Sequence, residues 1–171
     1  MDEDRDTING EPIRHENAWM ERGCDLITDE EVKQQFGIDV QRDAFNARPL
    51  PKQAFCLRTW NKPDWKEREN NNEKEGAIYR DPANILTVQV FGYGTTLIAK
   101  EQIAQLRKDR RNTYEEDVPG LGDDALWSTS TSTLLMRKRY QVLSIALTTA
   151  DQPHDNLAPA KVLAAIALPR M

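Results

Sequence analysis

The segment from Trp127 to Thr148, WSTSTSTLLMRKRYQVLSIALT, contains the strongest indication of the fold. Residues 140–148 alternate leucine and isoleucine with valine, serine and alanine, a period of two that is typical of a β-strand. Residues 127–136 are rich in β-forming types, and their run STSTST at 128–133 predicts a strand with a face of small hydroxyls. The basic residues 137–139 between the two halves predict a turn. The segment therefore predicts an antiparallel hairpin.

Two more strands are predicted upstream of this hairpin. Residues 53–60 alternate between two faces and carry Cys56, one of the two cysteines. Residues 84–93 have the same period, with three aliphatic residues on one face, Leu86, Val88 and Val90. The polar stretch KERENNNEKEG at 66–76 contains no apolar residue. We predict a loop there rather than a charged helix, because three successive asparagines disfavour a helix.

Three helices are predicted around these strands. The sequence Thr28-Asp29-Glu30-Glu31 has the form of a capping box and predicts a helix over 28–36. Apolar residues at positions i, i+4 and i+7 predict a second helix over 99–112, whose basic end suits the negative end of the helix dipole. Asn156 is the predicted N-cap of a last helix, which Pro169 ends. This order predicts an α+β fold with a twisted, mainly antiparallel sheet packed on one face against two or three helices.

The charge of the chain is concentrated near its start. Ten acids and three arginines in the first 30 residues give a net charge of −7, so the other 141 residues carry +2 of the total of −5. We predict an acidic, flexible segment at 1–18 and a single globular α+β domain at 19–171. The overall acidity disfavours nucleic acid as a partner. No stretch approaches the roughly 18 apolar residues that cross a bilayer.

Cys24 and Cys56 are the two cysteines, and their even number permits one intramolecular disulfide. A disulfide is favoured over two separately buried thiols, and it favours an oxidising compartment. Neither cysteine belongs to a CxxC motif, and only His15 and His154 are available as further soft ligands, so no metal is predicted. No secretory signal is visible, which is compatible with a cytoplasmic protein or with an exported one whose leader is absent from this sequence. The expected disulfide favours the exported protein, and the cytoplasmic one is the alternative.

No catalytic signature is recognisable in the chain. The GxSxG, Walker, HExxH and EF-hand patterns do not occur. Acidic residues on both sides of 118–122 have the chemistry to bind calcium or to act as acid and base, but their spacing matches no known loop. A turn with solvated acids is the favoured interpretation. We therefore predict no enzymatic activity and no cofactor.

Three motifs occur in the order CDLITDEEV at 24–32, Cys56 followed by Trp60, and VPGLGDDALW at 118–127. In this order, and with the hairpin and closing helix that follow, residues 24–168 resemble a class of small bacterial cell-envelope lipoproteins of unknown function. The resemblance implies a PsbP-like fold, similar to that of the extrinsic subunit of photosystem II, and an exported, disulfide-bearing domain without catalysis. The sequence departs from that class in two places: three residues separate Cys56 from Trp60, and the hairpin turn is basic where glycine is usual.

We predict an extracytoplasmic binding or interaction domain, in the periplasm or on the outer surface of the cell envelope. Its expected partner is a protein or an envelope component, with contact to the membrane only through a leader or lipid anchor absent from this sequence. The candidate binding residues are tryptophans and turn residues, namely Trp60, Trp65, Gly120, Gly122, Asp123, Asp124 and Trp127, with Trp19 as a further tryptophan to test. Core packing is the competing interpretation for the tryptophans.

Two alternative functions are kept. The first is a periplasmic inhibitor or immunity protein whose acidic surface blocks a basic partner enzyme, which predicts salt-dependent binding. The second is a carboxylate-dependent hydrolase that uses Asp123, Asp124 or Glu116.

Overall fold

The computed structural model describes residues 7–8, 11–12, 24–37, 41–42, 53–109, 114 and 116–171. Most of the predicted flexible segment 1–18 lies outside the described residues, as do Trp19 and residues 110–112. The helix predicted at 99–112 begins earlier, at Thr96, because Thr95 caps it, and it ends at Lys108, where Asp109 is extended. Two short strands near the start, β1 (Thr7–Ile8) and β2 (Glu11–Pro12), pair in antiparallel fashion.

In the described part of the chain, seven strands form one sheet, and every neighbouring pair is antiparallel. The strands are β3 (Gln41–Arg42), β4 (Gln53–Asn61), β5 (Ala83–Gly92), β6 (Glu116–Asp117), β7 (Asp124–Ser128), β8 (Thr133–Lys138) and β9 (Gln141–Leu147), in the spatial order β3-β4-β5-β9-β8-β7-β6. The helices are α1 (Asp29–Phe36), α2 (Trp65–Asn72), α3 (Thr96–Lys108) and α4 (Leu157–Ala167), with 3₁₀ turns at Pro153–Asn156 and Leu168–Arg170. The predicted α+β fold with an antiparallel sheet is confirmed; its likeness to PsbP stays a prediction.

The sheet is covered on both faces, whereas helices were predicted on one. Leu134 and Met136 of β8 belong to the main core, which also includes residues of α1 and α4. Leu135, which lies between them, points to the opposite face and packs in a smaller cluster with Ile103 of α3. Since Leu126 on the neighbouring strand belongs to the same cluster, this second face is apolar at its centre. It is buried because α3 crosses it.

The STSTST run forms a tight turn, so the prediction of one strand over 127–136 is wrong. Its hydroxyls bond locally: Thr131 Oγ1 donates to Ser128 Oγ at 2.9 Å, and Thr133 Oγ1 donates to the carbonyl of Thr131 at 3.0 Å. Ser132 adopts a left-handed φ of 47°. Local hydroxyl bonds compete with strand pairing and favour turns. A hairpin between this region and residues 140–148 is confirmed as β8 and β9. The turn predicted at 137–139 is shifted, because Arg137 and Lys138 pair with β9 as part of β8 and only Arg139 and Tyr140 lie between the strands.

Helix α2 occupies the polar stretch that was predicted to be a loop. None of its residues is buried, so core packing does not hold it. Arg68 donates to Asp64 at 2.8 Å and to both carboxylate oxygens of Asp151 at 2.8 and 3.0 Å. The Asn72 side chain donates to the carbonyl of Arg80 at 2.7 Å and accepts from its N–H at 2.9 Å. These bonds to neighbouring segments offset the low helix propensity of asparagine.

The predicted helix starts are confirmed at α1 and corrected at α4. Thr28 and Glu31 make both bonds of the capping box, and Gly37 ends α1 with a φ of 66°. Asn156 precedes α4 but makes no capping bond. Its φ and ψ of −77° and −14° are already helical because a 3₁₀ turn leads into α4, whereas a capping residue is extended. Its side-chain oxygen accepts from the N–H of Thr149 instead, at 3.0 Å.

The last residues of the described chain are fastened to α1 by an ion pair. The Arg170 guanidinium donates to both carboxylate oxygens of Glu31 and, at 2.9 Å, to the carbonyl of Leu26. The hydrogen bond from Arg170 lowers the pKa of Glu31 from 4.5 to about 2, against an opposing effect of burial. Two partly buried side chains therefore tie the C-terminal turn to the first helix.

We expect Glu31→Gln to lower the free energy of unfolding at neutral pH. We also expect the free energy of unfolding of this variant to change less than that of the wild type as the pH falls into the acidic range. The folded state has the lower Glu31 pKa, so the ion pair stabilises fully above about pH 4.5, and this contribution is lost as the pH falls toward 2. The contribution is roughly 2 kcal/mol after allowance for solvent screening. Chemical denaturation of both proteins at pH 7, 4 and 2.5 measures it. Glu30→Gln removes an exposed charge from the same turn and should have a far smaller effect; equal effects of the two variants would contradict this assignment.

Candidate binding groove at the end of the sheet

A groove of about 600 Å³ opens at the end of the sheet where β4 ends and β5 begins. Antiparallel pairing brings the ends of β4, β7 and β9 and the starts of β5 and β8 to this edge. The residues that line it are Lys62, Tyr79, Arg80, Asp81, Ala83, Ser130, Thr131, Ser132, Thr148, Ala150, Asp151, Gln152, Pro153 and Asn156.

Lys62 is a buried cation beside the groove, with 5% of its surface exposed. It directly follows β4, and its ammonium group donates to Asn84 Oδ1 at 2.8 Å and to the carbonyls of Thr149 and Thr148 at 3.1 and 3.3 Å. Burial lowers the pKa of Lys62, and the charge of Arg68 acts in the same direction. Its three protons are matched by three acceptors. Lys62 follows β4, Asn84 lies at the start of β5, and Thr148 and Thr149 follow β9, so the side chain connects three strands.

Ser132 also lines the groove, in a backbone conformation that is unusual for a residue other than glycine. Its φ is 47° and it is 5% exposed. Its N–H donates to the carbonyl of Thr129 at 3.2 Å, its carbonyl accepts from the N–H of Leu147 at 3.0 Å, and its hydroxyl accepts from Asn156 Nδ2 at 3.3 Å. A left-handed non-glycine residue costs of order 1 kcal/mol and persists where its surroundings hold it.

Residues 77–81, a segment without regular secondary structure, border the groove and present two apolar side chains to solvent. Tyr79 lines the groove and is 70% exposed, while Ile78 is 87% exposed and lines a smaller pocket of about 290 Å³ beside α2. Arg80 lines both sites. Its backbone is held by the paired hydrogen bonds from Asn72, so Tyr79 projects from an anchored segment.

The charges at the groove balance: Lys62 and Arg80 line it together with Asp81 and Asp151. Behind this lining Arg68 pairs with both Asp151 and Asp64, which adds one cation and one carboxylate. The hydrogen bonds from Arg68 hold the pKa of Asp151 below its usual value. Asp81 Oδ1 accepts from the N–H of Ala83 at 2.9 Å. Within the described residues, the Arg80 guanidinium and the Gln152 amide have no hydrogen-bond partner, and both residues are exposed. The groove is therefore neutral overall and offers unoccupied polar groups.

The structure separates the predicted tryptophans. Trp60 and Trp127 are 6% and 0% exposed, so core packing is the correct interpretation for both, and they present no surface to a partner. Trp60 packs on Phe36 of α1, with ring centroids 5.2 Å apart. Trp65 begins α2 and is half-buried, with the ammonium group of Lys66 5.4 Å from the centre of its ring. It does not line the groove.

The turn that contains Gly120, Gly122, Asp123 and Asp124 lies at the opposite end of the sheet, where β7 begins. It lines a pocket of about 230 Å³. Asp123 Oδ2 accepts from the N–H of Arg139 at 2.7 Å and from Arg137 Nη1 at 3.2 Å. The two predicted binding loops are thus not brought together.

Asp124 is held by two arginines. Its Oδ1 accepts from Arg107 at 3.0 Å and its Oδ2 from Arg137 at 3.1 Å. Burial opposes its ionisation, but the hydrogen bonds from the two guanidinium groups outweigh burial and hold the pKa of Asp124 below its usual value. Glu116, the third acid of the hydrolase hypothesis, lies 3.2 Å from His154 Nε2. These contacts give Asp123 and Asp124 a structural role in the turn.

The predicted disulfide between Cys24 and Cys56 is confirmed, with Cα atoms 5.1 Å apart. It joins the segment before α1 to the middle of β4 and is buried on both sides. Arg58, two residues further along β4 and fully buried, donates to the carbonyls of Cys24 and Ile27 and to Asp29 Oδ1. A buried disulfide fits an oxidising, extracytoplasmic environment.

Three residues of the groove, Lys62, Tyr79 and Ser132, were missed by the sequence analysis. One sequence signal could have indicated the groove, namely the STSTST run, whose residues 130–132 line it. Such a run is typical of turns as well as of strands, because serine and threonine hydroxyls bond to nearby backbone. Lys62 and Tyr79 follow no recognisable motif, and only the pairing of β4 with β5 brings their segments to the same edge.

Within the described residues, no group of three or more His, Cys, Asp or Glu side chains is arranged to hold a metal ion. In the same part of the chain, no helix combines the length and apolar character needed to cross a membrane. Comparisons with protein-family models, curated proteins and solved structures gave no significant match. The function therefore has to be inferred from the chemistry of the groove itself.

Proposed function

We propose that this protein is an extracytoplasmic binding domain whose ligand occupies the groove at the end of the sheet. The main support is that two costly features, the buried cation of Lys62 and the left-handed backbone of Ser132, lie at one open concave site. A buried charge and a strained residue each reduce stability. Such features are concentrated at functional sites, and the volume of the groove falls in the range of about 300–1,000 Å³ typical of small-molecule sites.

Binding is favoured over catalysis by the hydrogen bonds of the ionisable groups. The ammonium group of Lys62 donates to three acceptors, which leaves no free amine to act as a base or nucleophile. Asp81 accepts from a backbone N–H, and Asp151 pairs with Arg68. The lining residues include no histidine or cysteine. The groove therefore has positioned hydrogen-bonding groups but no activated one.

We further propose that the protein works in the periplasm or on the outer surface of the cell envelope and binds an envelope component. The disulfide and the resemblance to small PsbP-like envelope lipoproteins support this location. The inhibitor alternative depends on the acidic first 30 residues, most of which lie outside the described residues. The hydrolase alternative is less favoured, because Asp123 and Asp124 are already held by arginines.

The proposal predicts that polar small molecules bind at the groove and not at the opposite end of the sheet. Titrating isotope-labelled protein with a mixed library of sugars, amino acids and phosphate esters should give saturable NMR shift changes in the amides of residues 130–132 and 148–152. The amides of residues 120–124 are an internal control and should not change. Binding that perturbs only residues 120–124, or no binding by any member of the library, would sink the proposal.

A further inference from the structure

We infer that the groove binds a neutral saccharide, with one sugar ring stacked on Tyr79 and its hydroxyls held by the polar groups of the rim. This inference rests on the proposed binding function and adds the chemical class of the ligand. It follows from the charge balance of the groove, the exposure of Tyr79, the unoccupied polar groups and the pairing of the surrounding strands.

The charge balance argues for a ligand without net charge. With Arg68 and Asp64 behind the lining included, three cations are matched by three carboxylates. An anion that is attracted by the cations is repelled by the carboxylates beside them. A cation that is attracted by the carboxylates is repelled by the cations in the same way. Since like charges brought together in a site cost binding energy, both kinds of ion are disfavoured relative to a neutral polar molecule.

Tyr79 provides the kind of surface that a sugar ring contacts. A pyranose has an apolar face of C–H groups, and an aromatic ring combines a flat apolar face with, in tyrosine, a polar tip. Tyr79 is 70% exposed. Because the neighbouring Arg80 backbone is fixed by Asn72, and a tyrosine has few rotatable bonds, stacking costs little conformational entropy.

The polar groups of the groove match the edge of a sugar. Sugar hydroxyls both donate and accept, and the Gln152 amide offers two donors and an acceptor while the Arg80 guanidinium offers only donors. Neither group has a hydrogen-bond partner within the described residues, and both line the groove. Thr131, an exposed residue in the turn between β7 and β8, adds a hydroxyl that donates to Ser128 Oγ and can still accept a hydrogen bond. A site of about 600 Å³ is large enough for a short oligosaccharide.

An extended peptide is a poorer match, because the backbone around the groove is already paired. The N–H of Lys62 donates to the carbonyl of Pro82 at 2.9 Å, the N–H of Thr148 to that of Ile85 at 2.9 Å, and the N–H of Leu147 to that of Ser132 at 3.0 Å. A peptide that binds by strand addition needs a free strand edge. The groove lies at the ends of strands, where these groups are occupied.

The test compares three classes of probe on the same protein: neutral disaccharides that differ in linkage and in the substituent at C2, inorganic phosphate, and trialanine. We expect at least one disaccharide to shift the amides of residues 130–132 and 150–152 saturably. Tyr79→Ala should weaken that binding by about fivefold to tenfold. Ile78→Ala is the matched control, since it removes an exposed apolar neighbour whose side chain lines the smaller pocket beside α2 and not the groove, and the affinity of this variant should stay within about twofold of the wild type.

Each outcome decides a different point. Disaccharide binding that depends on Tyr79 supports both the saccharide and the groove. Phosphate or trialanine binding at the same amides without any disaccharide binding overturns the saccharide and leaves the binding groove in place. Failure of every probe to perturb the groove overturns the saccharide and counts against the proposed function. Disaccharide binding that Tyr79→Ala and Ile78→Ala weaken equally overturns the stacking.

Discussion

Replacing both cysteines by serine is expected to lower the free energy of unfolding by about 3 to 4 kcal/mol, a large part of the stability of a small domain. The disulfide closes a loop in which the cysteines are 32 residues apart, and without it the unfolded chain gains the entropy of that loop. The folded state loses support as well, because the disulfide holds the carbonyl of Cys24 against the buried guanidinium of Arg58.

Urea or guanidinium denaturation of the oxidised wild type and of C24S/C56S measures this effect. Reductant is the matched control: it should bring the midpoint of the wild type to that of the variant and leave the variant unchanged. Alkylation before and after reduction, followed by mass measurement, counts the bridged thiols directly. A variant as stable as the oxidised wild type would show that the disulfide contributes little to folding.

Gly122→Ala is expected to destabilise the protein by about 2 to 4 kcal/mol, the second large effect. Gly122 has a φ of 62°, and a Cβ there would lie 2.6 Å from the carbonyl oxygen of Arg137 and 2.8 Å from Met136 Cγ. The backbone oxygen cannot move freely, because it also accepts from the N–H of Asp123 at 2.8 Å. The variant therefore adds overpacking to the cost of a left-handed alanine.

Gly120→Ala is the matched control for this prediction. Gly120 has a similar left-handed φ of 77°, but a Cβ there would meet nothing within 4 Å. Its substitution should cost only about 1 to 2 kcal/mol, the conformational part alone. The difference between the two variants in chemical denaturation isolates the steric contact at Gly122. Equal losses of stability in the two variants would show that the contact between a Cβ at position 122 and β8 is relieved without a cost in free energy.

These two glycines also show how far local sequence reasoning extends. The Pro-Gly turn was predictable, because glycine adopts a positive φ readily. The hydrogen bonds of Asp123 were not predictable, because their donors, Arg137 and Arg139, are 14 and 16 residues away. The arginines that hold Asp123 and Asp124 come from β8, its turn and α3. A pattern within residues 118–127 contains no information about them, so the same acids suggested a binding surface or a catalytic pair.

The two strongest errors have the same origin. The polar stretch at 66–76 is helical in its first part because Arg68 and Asn72 bond to residues outside α2. The STSTST run turns instead of extending because Ser132 is held by the N–H of Leu147 and by Asn156 as well as by local bonds. In both cases a weak local preference is decided by partners that are distant in sequence.

What the sequence by itself determined are the elements with strong local signals. The capping box at Thr28, the alternation along β5 and the β8–β9 hairpin depend on hydrogen bonds and hydrophobic periods within a few residues, and each is present in the structure. The pairing of Cys24 with Cys56 followed from there being only two cysteines in the chain.

Only the tertiary structure decided which strand faces are buried and where a ligand has room. Alternation along β4 defines two faces, but pairing with β5 and packing under α1 place Cys56, Arg58 and Trp60 inside. The groove is assembled from strand ends that are far apart in sequence, with Lys62 and Ser132 brought together by the register of β4, β5, β9 and β8. Register is a property of the whole sheet, set by the burial of one face, and no local window of sequence contains it.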